Sequence, residues 1–185
     1  EIEETPKGLQ FKVNGTLFSI AMRGTHNIRN ILLAIAVARH LDMSDAQIAE
    51  QLKSFAPPSH TFQVRTERGV DILDDTYNSS PQSFKAAVAW AKSQPFDTKV
   101  LLAAGLIELG EALESTHKDL GAAAHGAFAR VIFLDAESAK AFAAGYGSAV
   151  EVLSKDTKPV ATGSLLVCIW RMSAATIERL LPAHS

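Results

Sequence analysis

The sequence predicts an α/β fold: a Rossmann-like, mostly parallel sheet with helices on both faces, preceded by a small β-hairpin plus two-helix segment. Three observations carry that expectation. Short apolar runs at 100–104, 131–134, 150–153 and 165–169 alternate with segments of helical spacing, the pattern of parallel strands buried on both faces. Asn14-Gly15, a pair that readily adopts the left-handed backbone of a tight hairpin turn, stands between two stretches that alternate apolar and polar residues. Ala56-Pro57-Pro58 cannot continue a helix, which predicts a boundary between segments 1–57 and 58–185.

In chain order, strands are expected at 9–13 and 16–22 around the Asn14-Gly15 turn. Ile28, Ile31, Leu32, Ile35, Ala36 and Ala38 then fall at helical spacing. A second helix over 44–55 begins at a Ser44 cap and carries Ile48, Leu52 and Phe55. Beyond the prolines, strands are expected at 62–66 and 70–73, then a helix over 81–91 with Pro81 in its first turn. Helices over 116–128 and 136–144 separate the later strands, and a last helix over 173–181 closes the chain.

Composition narrows the function. With 185 residues, 47% hydrophobic and 21% charged, the chain can bury one ample core or two small ones. A formal net charge of −2 with interspersed signs offers no basic run, so neither nucleic acid nor membrane is expected as a partner. No stretch reaches the roughly 18 apolar residues of a membrane span, and Glu1-Ile2-Glu3-Glu4 is too acidic for a signal peptide, so a cytoplasmic location is expected. The single cysteine, Cys168, lies in an apolar run and reads as a core thiol in a reducing compartment. The chain starts without methionine in a Glu-rich lead, which suggests an excised piece of a longer protein.

Two segments carry candidate chemistry. Asn27 and Asn30 open the first long helix about one turn apart. Two carboxamides there could match the amino group and ring nitrogen of adenine, or Thr25 and Asn27 could serve only as caps. Asp74-Asp75-Thr76-Tyr77-Asn78-Ser79-Ser80-Pro81 follows a strand, at the carboxyl edge where open α/β sheets bind ligands. A carboxylate there can accept from ribose hydroxyls, or Asp75 and Thr76 could merely shape a turn. Arg171, just past a strand end, is the basic residue best placed for an anion. His40 and His125 have no partner at metal-binding spacing, His117 at a helix start would be ordinary for a surface histidine, and Trp90 and Trp170 read as core.

Together, His26-Asn27-x-x-Asn30, Asp74-Asp75-x-Tyr77-Asn78-x-x-Pro81 and Ile107-Glu108-Leu109-Gly110-Glu111 with His117 and Gly121 downstream resemble the Mur ligase family, in particular its D-alanyl-D-alanine-adding members. The resemblance spans roughly residues 8–181 and implies the end of a central ATPase domain in 1–57 and a C-terminal domain in 58–185. It implies that Asn27, Asn30 and Asp75 bind nucleotide and that Tyr77 and Asn78 line the site of the incoming amine; Arg171 is expected to contact substrate from its position alone. By the family's mechanism, ATP phosphorylates the carboxylate of a UDP-linked muramyl peptide, and the amine of D-alanyl-D-alanine displaces phosphate from the acyl phosphate. ATP and magnesium, the muramyl peptide and the dipeptide are then expected partners of an intact parent, with no metal site, no catalytic residue and no bound cofactor in this piece. Self-association through an unpaired hairpin edge in 1–57 is also expected.

Three departures accompany the resemblance. The sequence holds no Gly-x-x-Gly-Lys-Thr phosphate loop, so the piece is expected to be inactive alone. Ser59-His60-Thr61-Phe62-Gln63 stands where the family has an arginine, at His60 or Thr61. Ala104-Gly105 replaces a Gly-Asp pair, and Cys168-Ile169-Trp170-Arg171 replaces Lys-Gly-Ser-Arg. The losses inside 58–185 leave either a divergent ligase with a rearranged site or a degenerate non-catalytic binding module, and an amide ligase of folylpolyglutamate or cyanophycin type, sharing the domain, is a further rival.

Overall fold

The computed structural model describes residues 1–5 and 7–183, in two compact units, Glu1–Pro58 and Ser59–Ser185. In the first unit, β2 (Gly8–Val13) and β3 (Thr16–Ile20) pair antiparallel. Asn14 and Gly15 take φ of 50° and 84°, the left-handed pair that the turn requires. The hairpin is wider than expected, because β1 (Ile2–Thr5) pairs with β2 to make a three-stranded sheet in the order β1-β2-β3. Sequence reasoning missed β1 because it is largely exposed on both faces and shows no alternation. The outer edge of β2, expected to be unpaired, is therefore covered.

Leu9, Phe11, Phe18 and Ile20 turn inward against α1 (Ile28–His40) and α2 (Asp45–Ser54). Ser44 caps α2, accepting from the Gln47 amide while the Gln47 side chain accepts from the Ser44 amide. Only Ile31 and Ile35 of α1 are buried, and Leu33, Val37 and Leu41 are more than half exposed along one stripe.

The second unit is a six-stranded sheet in the order β4-β5-β9-β6-β7-β8. Its strands are β4 (Gln63–Glu67), β5 (Val70–Asp75), β6 (Lys99–Ala103), β7 (Arg130–Phe133), β8 (Glu151–Val152) and β9 (Leu165–Ile169). Only the β4–β5 pair is antiparallel. The helices are α3 (Pro81–Ser93), α4 (Leu113–Ala124), α5 (Ala136–Tyr146) and α6 (Ala174–Glu178). α4 starts and ends earlier than its apolar pattern suggested; Ala127 and Phe128, which prolonged that pattern, are buried after Gly126 turns the chain at φ 68°.

Topology explains which face each helix covers. The crossovers through α3, α4 and α5 all step the same way across the sheet, so the right-handed rule puts all three helices on one face. Phe84, Leu120 and Phe142 pack there on Leu73, Leu101, Phe133 and Val167. The other face is thinner: Ile177 of α6, Leu180, Leu181 and Val160 cover Ile72, Leu102, Ile132 and Cys168. The closing helix expected over 173–181 is in fact the five residues of α6.

α4 and α5 meet backbone to backbone. A Cβ on Gly121 would lie 2.2 Å from the Phe142 carbonyl oxygen, and one on Gly145 would lie 1.8 Å from that of Lys118. Gly121, part of the motif that carried the resemblance, thus has a packing role. Among the described residues no helix is long and apolar enough to cross a membrane.

Candidate functional site

The chain returns from β8 to insert β9 between β5 and β6, so the connections leaving β5 and β9 diverge to opposite faces. Such a reversal opens a crevice at the carboxyl ends of the two strands. A cleft of about 280 Å³ lies there, lined by His60, Thr76, Tyr77, Arg171, Met172 and Ala174. It brings together Tyr77, from the turn after β5, and Arg171, from the turn after β9. Asn78, beside Tyr77, is exposed and does not line the cleft.

Alternation along β5 gives its two terminal carboxylates different environments. Asp74, 1% exposed, is a structural hub. Its Oδ1 accepts from the Thr76 amide (3.3 Å) and hydroxyl (2.7 Å), while Oδ2 lies 2.9 Å from His60 Nδ1 and 3.6 Å from the Arg65 guanidinium. Asp75, 5% exposed, accepts the Phe62 amide on Oδ1 at 3.0 Å. The turn-shaping alternative is therefore realised mainly by Asp74, and Asp75 also holds the 59–63 segment in place.

That segment enters the site through these bonds. The Tyr77 amide donates to the His60 carbonyl at 3.0 Å, and His60 and Phe62 both adopt left-handed backbone, φ 64° and 47°. Of the two residues that could stand at the family's arginine, His60 faces the cleft. Sequence reasoning left its role open because only the fold joins His60 to an aspartate fourteen residues later.

The departure at Gly105 has a steric side. Gly105 sits at φ +91°, and a Cβ there would meet Ser138 Oγ at 2.4 Å and Asp135 Oδ2 at 2.9 Å. Those two residues open α5, where Asp135 accepts the Ser138 amide at 2.7 Å. Cys168 is wholly buried in β9, and burial, then the nearby Asp74 charge, push its thiol well above the usual cysteine range, against a smaller opposite effect of Arg65. It is a core thiol, as expected.

His117 corrects an expectation. It is wholly buried rather than a surface histidine, and both ring nitrogens are engaged. The Leu106 amide donates to Nε2 (3.1 Å), and Nδ1 lies 2.9 Å from the Leu113 carbonyl.

In the first unit, Asn27 ends a 3-10 turn (Thr25–Asn27) and Asn30 is exposed one turn further on. Neither the turn nor α1 has a side-chain cap, so the capping alternative is not realised. The Asn27 amide group donates to the Arg23 carbonyl at 2.9 Å.

Against known proteins, residues 61–164 match the family model described as Mur ligase, glutamate ligase domain. The UDP-N-acetylmuramoyl-tripeptide--D-alanyl-D-alanine ligase of Bacillus subtilis (strain 168) is 29% identical over 126 residues, which cover 66% of this chain and 28% of that protein. Among solved structures, MurF from Acinetobacter baumannii superposes with a TM-score of 0.76 at 20% identity, covering 97% of this chain and 42% of that one. MurF ligase from Thermotoga maritima in complex with ADP gives 0.67 at 23% identity, covering 97% and 44%. The structural matches, at these identities, speak for the fold. The chain thus spans less than half the length of the relatives it matches.

Proposed function

This chain belongs to the Mur ligase family, and on that premise we propose that it is the part of a cytoplasmic, ATP-dependent peptide ligase that receives D-alanyl-D-alanine for addition to a UDP-muramyl peptide. The single observation that carries the reading is the cleft joining Tyr77 to Arg171 at the sheet's topological reversal. A guanidinium there can clamp the dipeptide's carboxylate with paired hydrogen bonds. The amine nitrogen then bonds to the acyl carbon, loses a proton, and phosphate leaves. We assign 1–57 to the end of the central domain and 58–185 to the C-terminal domain, a division supported by the break between the compact units at Pro58.

Asn27 and Asn30 would contact a nucleotide's adenine, and Asp75 a ribose. The uncapped start of α1 and the placement of Asp75 at the end of β5 support this. Magnesium has no such support: among the described residues no group of three or more His, Cys, Asp or Glu could hold a metal ion. The chain's own residues supply no phosphate loop, so by itself it should not ligate.

Calorimetric titration tests the cleft. D-alanyl-D-alanine should bind the chain, and Arg171→Ala should weaken it roughly 10- to 100-fold, the value of a charged hydrogen bond. ADP binding with no response to the dipeptide would instead favour the degenerate-module reading, which Thr61, Gly105 and Cys168 at positions where the family differs support. A folylpolyglutamate-type ligase would leave the same titration silent and respond to glutamate. Self-association of 1–57 is also proposed, now through the exposed stripe of Leu33 and Val37 on α1 and Leu41 just past its end. Sedimentation should show dimers at high concentration that Val37→Glu abolishes, and a monomer throughout would end that idea.

A further inference from the structure

We infer that His117 is a positioning residue for the cleft, ordering two separate segments of the sheet's carboxyl edge at once; the substrate side of the inference rests on the reading above. Its Nε2 holds the loop at 104–112 while Nδ1 is fixed by the first turn of α4, and its ring holds the turn that carries Arg171.

An amide only donates and a carbonyl only accepts, so the Leu106 contact requires an unprotonated Nε2 and the Leu113 contact a proton on Nδ1. The imidazole is thereby fixed in one tautomer and one orientation. The loop it holds is irregular, with Gly105, Glu108 and Gly110 all in left-handed backbone, and needs an external anchor. At a wholly buried position a hydrocarbon side chain would cost less to bury than an imidazole, so the histidine is explained by the two bonds it makes.

The ring faces the other segment. It stands edge-on to Trp170, centroids 5.7 Å apart at 69°, and Trp170 also stacks on Phe84 at 5.1 Å. Trp170 is the residue before Arg171 and sits at φ 65°, a conformation that a bulky residue keeps only when its surroundings hold it. The Trp170 amide donates to Ser79 Oγ at 3.4 Å, and Ser79 donates to the Asp75 carbonyl. The brace therefore runs from the 104–112 loop through His117 and Trp170 to the turn after β5, the two sides of the cleft included.

Two substitutions separate the functions. His117→Phe keeps a ring against Trp170 and accepts nothing from Leu106; His117→Gln loses the ring, yet its carbonyl can still take the Leu106 amide. In the Phe variant, hydrogen exchange at Leu106 should quicken at least about tenfold, with the Trp170 indole and Arg171 Nε resonances unmoved. In the Gln variant, Leu106 should stay protected while those resonances move, and D-alanyl-D-alanine affinity should fall about tenfold. Both variants moving both readouts, or neither moving any, overturns the inference, because a purely structural histidine would not dissociate them. If the wild-type chain does not bind the dipeptide, the substrate reading fails while the exchange and resonance measurements still decide the brace. Should a variant not fold, the other still tests its own half, and the wild-type tautomer remains decisive: nitrogen-15 shifts showing Nε2 protonated would overturn it.

Discussion

Gly145→Ala is expected to destabilise the second unit by about 2–4 kcal/mol, with Tm roughly 6–12 °C lower. Helix propensity alone argues for the opposite sign, since alanine inside a helix is favoured over glycine by about 1 kcal/mol. The contact decides. A methyl group at 145 would lie 1.8 Å from the Lys118 carbonyl oxygen and 2.7 Å from its carbon. Backbone cannot rotate away as a side chain can, so α4 and α5 would have to separate, loosening Leu120, Phe142 and Tyr146 in the core between them. Urea and thermal unfolding measure the effect. An alanine variant as stable as the parent would mean that the helices do not cross this closely.

Restoring the family's aspartate, Gly105→Asp, should likewise lower stability by about 2–4 kcal/mol rather than repair the site. Three costs combine. The residue must keep φ +91°, its Cβ must displace Ser138 Oγ from 2.4 Å, and its carboxylate would join that of Asp135 in the same small space. Gly105→Asp combined with Asp135→Ser, which retains a helix-capping oxygen, should recover about half of the loss. Recovery of none of it would make backbone strain the dominant cost, and a stable single variant would refute the steric account. The substitution at 105 is therefore coupled to the start of α5.

Much of the fold was legible because its strands are continuous apolar runs and its turns carry glycine or proline. Leu165–Ile169 was bounded correctly from that pattern alone. β1 was not, since a strand without a buried face leaves no alternation to read. α4 was displaced because apolar residues after a helix look like its continuation; the turn at Gly126 shows only as backbone angles. The candidate site divides in the same way. Position after a strand predicted that Asp75, Tyr77 and Arg171 would stand at the carboxyl edge. Nothing local predicted that Asp74 would be the hub, that His60 would be drawn in by it, or that His117 would be buried. Those follow from pairings across 14 and 11 residues, created only when the sheet assembles.

The unequal thickness of the two sheet faces has a practical consequence. The lone thiol, Cys168, lies under Ile177, Leu180 and Leu181, with Val160 bonded to the Leu180 carbonyl at 2.8 Å. A five-residue helix has little stability of its own and is kept in place by the side chains it buries. An aromatic disulfide reagent can reach the sulfur only when that thin cover lifts, while the three-helix side stays closed. The rate at which the thiol reacts thus acts as a stopwatch for partial opening, started by nature's placement of one sulfur atom and needing no label.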